Sequence, residues 1–398
     1  MGGMETTSLG IVLNGSPRTV PAPCTIAGLL REAGHGERRV AVVPDGVHVL
    51  VDDGHRVAVE TNAGAASGFG DAAYRDAGAN VVAADEVWDS PLIVKVKEIQ
   101  RREYARLRRG TTIFGFAQLN RDRALLDAVL AARVGVVAFE TVRDANGGLP
   151  LLAPMSRIAG RLAPLAGGRA LQTDAGGNGT LLTGVDDVPA ARVLVVGAGN
   201  VGRESARVAA RLGCDVVVLS RGPARLRELA TSLASEGLRV RVNVLDDDAL
   251  CTAVADADLL IGAVLDPGRL SPKIVRREHL RAMRPGSAFV DVGIDQGGIA
   301  ETSRMTSLSD PTYVDEGVVH YAVPNMPALV ARTATQALAS AVLPHVRAMA
   351  RHGVLAALAR DAGLAAGAMA WDGRIAHAGL AQDAGLPRAP LPIHAEAN

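Results

Sequence analysis

The run Gly197-Ala198-Gly199-Asn200-Val201-Gly202 constrains the local fold more tightly than any other segment of the chain. It follows a short β-branched apolar run, Arg192 to Val196, and opens a stretch with amphipathic helical spacing, Glu204 to Leu212. A second apolar run, Asp215 to Leu219, comes next. Strand, glycine turn, helix and strand make a βαβ unit whose strands are apolar enough to be buried on two faces. The three glycines have separate tasks. Gly197 permits the tight turn, Gly199 lets backbone approach a pyrophosphate, and Gly202 lets helix and strand pack closely. Asn200 and Val201 belong to the same turn, and the helix N-terminus that follows offers unpaired N–H groups to the phosphates. A GxGxxG string alone is weak; set between a strand and a helix, it predicts a dinucleotide site.

The end of the second strand bears on which dinucleotide. NAD-specific sites usually offer Asp or Glu there to the ribose 2′-hydroxyl. This chain has Ser220 followed by Arg221. A carboxylate would repel a 2′-phosphate, whereas a hydroxyl and a guanidinium bind one by charge-assisted hydrogen bonds. The pair predicts NADP(H) over NAD(H). The alternative is that Arg221 is a solvated surface arginine.

Further alternation surrounds this unit. Ala224 to Glu236 reads as a helix, and Val240 to Val244, Leu259 to Val264 and Ala288 to Val292 read as strands, which suggests a doubly wound parallel sheet. Ahead of it, Val40 to Val43, His55 to Glu60, Leu92 to Val96, Thr112 to Phe116 and Val136 to Phe139 are strand-like runs between helical stretches. Thr333 to His352 is a long apolar-striped helix that Pro344 is expected to kink or break. At 398 residues the chain exceeds one ordinary core. The expected α/β architecture is two Rossmann-like domains, with a dinucleotide-binding one (150–328) inserted in a discontinuous substrate domain (1–149 and 329–398). The segment Ile11 to Val20 carries an Asn-Gly signal for a hairpin; the other option for residues 1–24 is a disordered leader.

Charge narrows the partners. Forty-two basic residues balance forty-two acidic ones, so nothing favours nucleic acid or an anionic membrane. No apolar run reaches the length of a membrane span. The three cysteines, Cys24, Cys214 and Cys251, share no metal-ligand spacing and suit a reducing cytoplasm better than a disulfide framework. No metal is expected.

Several segments together resemble the alanine dehydrogenase and pyridine-nucleotide transhydrogenase family. They are Glu37-Arg38-Arg39-Val40-Ala41 with Pro44; Glu60-Thr61-Asn62-Ala63-Gly64; Val94-Lys95-Val96-Lys97-Glu98; 149–156 (LPLLAPMS); 261–265 (IGAVL) with Pro267-Gly268; 290–298 (VDVGIDQGG); and 321–327 (YAVPNMP). The likeness runs in order from about residue 25 to 385 and lies closer to the alanine dehydrogenase branch. It implies two α/β domains separated by a cleft, hydride exchange with the nicotinamide, and an amino, imino or keto acid as substrate. It also implies a homo-oligomer, a hexamer or a dimer. Arg39 and Lys97 match positions that hold the substrate's carboxylate and keto oxygen. Asp295 matches the carboxylate near the nicotinamide, and Ser156 a serine that contacts phosphate. Asn325 and Met326 match residues of the nicotinamide pocket, and Val264 and Leu265 fall where the chain passes the nucleotide. These roles agree with the chemistry: Arg holds a carboxylate through a bidentate fork, and an ammonium polarises C=O or C=N as hydride arrives.

One departure matters for the reaction. The family's general acid/base is a histidine in a segment of the form LFTFLHLA; here the stretch is 113–120 (IFGFAQLN), so Gln118 stands in its place. Glutamine forms hydrogen bonds but cannot shuttle protons near neutral pH. General acid–base help is typically worth about 10²–10⁴-fold. Arg157, Asp266 and Ala331 also depart from the family's pattern. The sequence therefore predicts an NADP(H)-dependent enzyme that reduces an imine or another C=N, with Gln118 as an anchor and Lys97 or Asp295 handling the proton. His320 is the nearest histidine by motif. The rivals are a true alanine dehydrogenase with a displaced acid/base, and a transhydrogenase-like module that binds nucleotide without a substrate of its own.

Overall fold

The computed structural model describes residues 11–13, 25–26, 39–264 and 270–393. The chain divides into two units, one made of residues 1–154 with 328–398 and the other of residues 155–327. Both are α/β.

The first unit begins with β1 (Ile11–Leu13), β2 (Thr25–Ile26), β3 (Arg56–Glu60), β4 (Asn80–Val82), β5 (Leu92–Lys95), β6 (Thr112–Gly115) and β7 (Gly135–Ala138). The second holds β8 (Arg192–Val196), β9 (Asp215–Ser220), β10 (Arg241–Val244), β11 (Leu259–Gly262), β12 (Ala288–Asp291), β13 (Thr312–Asp315) and β14 (Val318–Tyr321). The chain then returns to the first unit with the helix Ala331–His352, β15 (Ala368–Trp371) and β16 (Arg374–Ile375).

In the second unit the strand order is β10-β9-β8-β11-β12-β14-β13. The first six run parallel, and only β13 is antiparallel. Numbered within the unit the order is 3-2-1-4-5-7-6, and the six parallel strands counted alone follow the 3-2-1-4-5-6 order of the dinucleotide-binding fold. Alternation along β8 puts Val193 and Val195 in one buried cluster and Leu194 and Val196 in another. A strand buried on both faces must be apolar throughout, which is what this run shows.

In the first unit the order is β16-β15-β7-β6-β5-β1-β3-β2, with β4 also on β3. Strands β7 to β3 are parallel, and β15 joins β7 antiparallel. Asp122 caps the helix Arg123–Ala132, its carboxylate accepting the N–H of Ala124 at 2.8 Å. This is the usual side-chain answer to the open amides of a helix start.

Three expectations are corrected. Val40 to Val43 is not a strand, although Val40, Ala41 and Val42 are buried. Its backbone is satisfied by side chains: the Val40 N–H donates to Thr335 Oγ1 at 3.0 Å, and the Tyr74 hydroxyl donates to the Val42 carbonyl at 3.1 Å. An apolar run can be buried as irregular chain once its polar groups find such partners. Ile11–Leu13 is no hairpin arm, because parallel β3 and β5 occupy both of its edges; residues 14–24 lie outside the described residues. Finally, the helix Ala331–His352 runs through Pro344 unbroken. Pro344 and Ser340, whose carbonyl loses its partner, are both exposed, so water can take the place of the missing bond.

Candidate functional site

The glycine turn lies where β8 gives way to the helix Asn200–Arg211. Gly197 has φ +117°, and a β-carbon on Gly202 would overlap the Gly197 carbonyl oxygen. The helix packs on the strand only because residue 202 has none. At Gly199 a β-carbon would meet nothing within 4 Å, so the turn has open space at its crest. No side chain caps this helix among the described residues. Open amides at a helix start and room for close approach are what a pyrophosphate needs. The residues fit a dinucleotide.

Ser220 ends β9 half-buried, and Arg221 follows it exposed. Among the described residues Arg221 forms no ion pair, although most arginines of this unit do. Val264 stands against the turn, its Cγ2 3.2 Å from the place of a Gly197 β-carbon. Leu265 lies outside the described residues, as do Asp266 and Pro267-Gly268. Ser156 sits in the first turn of the helix Ala153–Ala170.

Asp295 sits on a short 3-10 turn, Val292–Gln296, directly after β12. Its Oδ2 accepts the Asn325 N–H at 3.0 Å, joining the loop after β12 to the one after β14. Asn325 has φ +56°, and Met326 beside it is buried. Asp291 holds the first loop in shape. Its carboxylate accepts the N–H of Gly293 at 3.0 Å and of Ile299 at 2.9 Å, and the Ser303 hydroxyl at 2.5 Å. Burial raises the Asp291 carboxyl above its ordinary range despite these donors.

In the first unit, Lys97 and Glu98 follow β5, and their ammonium and carboxylate are 2.8 Å apart. Burial would raise the Glu98 carboxyl, but Lys97 and nearby hydrogen bonds hold it below the usual range. Just ahead, Lys95 turns into the core and pairs with Glu103 at 2.5 Å, both side chains almost fully buried. Glu103 also accepts the Gln100 N–H at 2.7 Å, which ties down the segment bearing Lys97. Gln118 lies beyond β6 at φ +46°. Its N–H donates to Glu140 Oε1 at 2.8 Å, and its Oε1 accepts from Arg121 Nη1 at 2.8 Å. Glu140 also accepts the Ala117 N–H at 3.0 Å. Burial raises the Glu140 carboxyl, the backbone amides oppose this, and the nearby Glu98 charge adds to the rise. Arg39 is buried at the start of the irregular stretch pinned by Thr335.

Sequence reasoning did not single out Glu140, Arg121 or Asp291. Glu140 follows the apolar strand β7 as Lys97 follows β5, and the same strand-end argument finds it. His320 is closed off: Nδ1 faces the Val318 carbonyl at 2.9 Å, Nε2 meets Thr302 Oγ1 at 2.8 Å, and burial lowers its pKa. Asp247, Cys251 and His279 gather in the second unit, but the Arg276 guanidinium sits 2.8 Å from Asp247, and His279 Nδ1 accepts the Arg276 N–H at 3.1 Å. No described helix is long and apolar enough to cross a membrane.

The comparisons with known proteins agree with one another. Residues 28–159 match the N-terminal domain of the alanine dehydrogenase/PNT family, and residues 163–378 match its C-terminal domain. The chain is 46% identical to an alanine dehydrogenase of Halomonas elongata, over 89% of this chain and 96% of that protein. It is 41% identical to the alanine dehydrogenase of Bacillus subtilis, over 92% and 96%. A solved L-alanine dehydrogenase superposes with a TM-score of 0.83 at 42% identity, covering 89% of this chain and 98% of that one. A transhydrogenase from Sinorhizobium meliloti superposes at 0.73 with 24% identity, over 88% and 98%, a likeness of fold alone.

Proposed function

The chain belongs to the alanine dehydrogenase and pyridine-nucleotide transhydrogenase family, and from that premise we propose that it is a dehydrogenase of the alanine dehydrogenase type. It acts on the C–N bond of a small amino acid, in either direction. One observation carries this reading: a polar cluster containing Lys97, Glu98, Gln118 and Glu140 at strand ends of the unit that lacks the glycine turn. A module that only bound nucleotide would need no such cluster.

The nicotinamide supplies or takes the hydride. Residues 155–327 hold the dinucleotide through Gly197, Gly199, Asn200, Val201 and Gly202, with Ser156, Val264 and Met326 lining its path. Residues of the other unit hold the substrate: Arg39 clamps the carboxylate, and Lys97 donates to the oxygen or nitrogen at the reacting carbon. Asp295 orders the loop carrying Asn325 or relays a proton. Ser220 and Arg221 support NADP(H) as the preferred cofactor. The free Cys214 and Cys251 fit a cytoplasmic enzyme, and the family premise supports a homo-oligomer.

Identity above 40% to two alanine dehydrogenases favours oxidative deamination to a 2-oxo acid and ammonia, with the proton work moved away from residue 118. Gln118 favours a second reading, reduction of a preformed imine, which needs no water step. Turnover of pyruvate with ammonium, set against a panel of cyclic and N-alkyl imines, separates the two. Fast turnover with pyruvate rejects imine reduction as the main activity; turnover with imines alone rejects alanine oxidation.

A further inference from the structure

Residue 118 is clamped at both ends. Glu140 holds its backbone, accepting the N–H groups of Ala117 and Gln118, and the residue sits at φ +46°. Arg121 holds its side chain, with Nη1 2.8 Å from Oε1, and the Arg121 N–H closes the turn on the Gln118 carbonyl at 3.0 Å. A guanidinium has donors and no acceptor. The amide atom that faces it must therefore be the oxygen, and the group left for a substrate is the NH₂. The half-buried Gln118 thus turns its oxygen toward Arg121 and presents its NH₂ to a substrate.

We propose that Gln118, its amide oriented by Arg121, forms a donor-presenting subsite that selects substrates with an acceptor at the reacting carbon. Its ligands are the carbonyl oxygen of a 2-oxo acid and the lone pair of a neutral imine; the ammonium of an amino acid is disfavoured. The proposal rests on the alanine dehydrogenase-type reading and names the substrate form that the site prefers. An ammonium facing the fixed NH₂ sets donor against donor, and the mismatch costs about tenfold to a hundredfold in relative affinity. Were the amide free to turn, its oxygen would meet the ammonium and the discrimination would vanish. Arg121 is exposed, so the fixing group can be changed without opening the core.

The test measures KM for pyruvate (with ammonium and reduced cofactor) and for L-alanine (with oxidised cofactor) in wild type, Arg121→Met and Gln118→Glu. In Arg121→Met the ratio of pyruvate KM to alanine KM should rise about tenfold, with a smaller change in kcat. Gln118→Glu, which offers acceptors only, should raise it further. An unchanged ratio in both variants, or two KM values that rise in parallel, overturns the subsite. Wild type that turns over neither substrate overturns the functional reading instead. Calorimetric titration of the cofactor-loaded chain with pyruvate and with alanine then reads the same ratio, and equal shifts for both ligands in Arg121→Met reject the subsite.

Discussion

Glu140 accepts the N–H of Gln118 at 2.8 Å on the same carboxylate oxygen that accepts the N–H of Ala117 at 3.0 Å. Burial and the Glu98 charge nevertheless raise this acid above its ordinary value. An acid with a raised folded pKa favours folding when protonated. That contribution is complete below the ordinary carboxyl pKa and is lost as pH rises through the raised one. Glutamine at 140 keeps the shape and an acceptor but does not titrate. The Tm of wild type relative to Glu140→Gln should therefore fall from acid to neutral pH, and a pH-independent difference would reject this account.

The nucleotide turn separates two glycines that look alike in sequence. Gly199→Ala places its methyl where nothing lies within 4 Å, so stability should change by less than ~0.5 kcal/mol while dinucleotide affinity drops about tenfold or more. Gly202→Ala meets the Gly197 carbonyl and should cost ~1–3 kcal/mol along with binding. Thermal melts with and without cofactor check both, and equal melting losses would reject the distinction.

Ser220→Asp sets a carboxylate at the end of β9 and should swing selectivity from NADPH to NADH by roughly 10–100-fold. Arg221→Ala should weaken NADPH and leave NADH unchanged. If both cofactors weaken together in Arg221→Ala, the arginine is not reading a phosphate.

Removing one partner of the Lys95–Glu103 pair leaves an uncompensated buried charge. Glu103→Ala should lose ~3–5 kcal/mol in denaturant titration. The double variant Lys95→Met with Glu103→Leu should recover most of that loss. A double variant no better than the single one would show that shape, and not charge, is the cause.

What the sequence disclosed followed its periodic parts. The glycine turn, β8, β9 and the helix Asn200–Arg211 were legible because burial on two faces demands unbroken apolar strands and because the glycines sit at fixed offsets. Val40 to Val43 misled for the same reason: burial was correctly indicated, but the side chains of Thr335 and Tyr74 replaced a strand partner. Arg121 escaped notice because its role depends on a positive φ at Gln118, which no pattern of apolar spacing encodes. Lys95 and Lys97 illustrate the finer limit. Two residues apart, one enters the core against Glu103, while the other stays partly exposed beside Glu98.

The interrupted first unit has a consequence for synthesis. Residues 155–327 are continuous, so on the ribosome they can collapse and bind dinucleotide as soon as they emerge. The sheet of the first unit must wait, because β15 pairs with β7 across more than two hundred residues, and Val40 leans on Thr335 across 295. During translation the nascent chain therefore carries a finished nucleotide module while its other unit is still incomplete. Truncation before the helix Ala331–His352 should release a polypeptide that captures cofactor and has nothing to do with it.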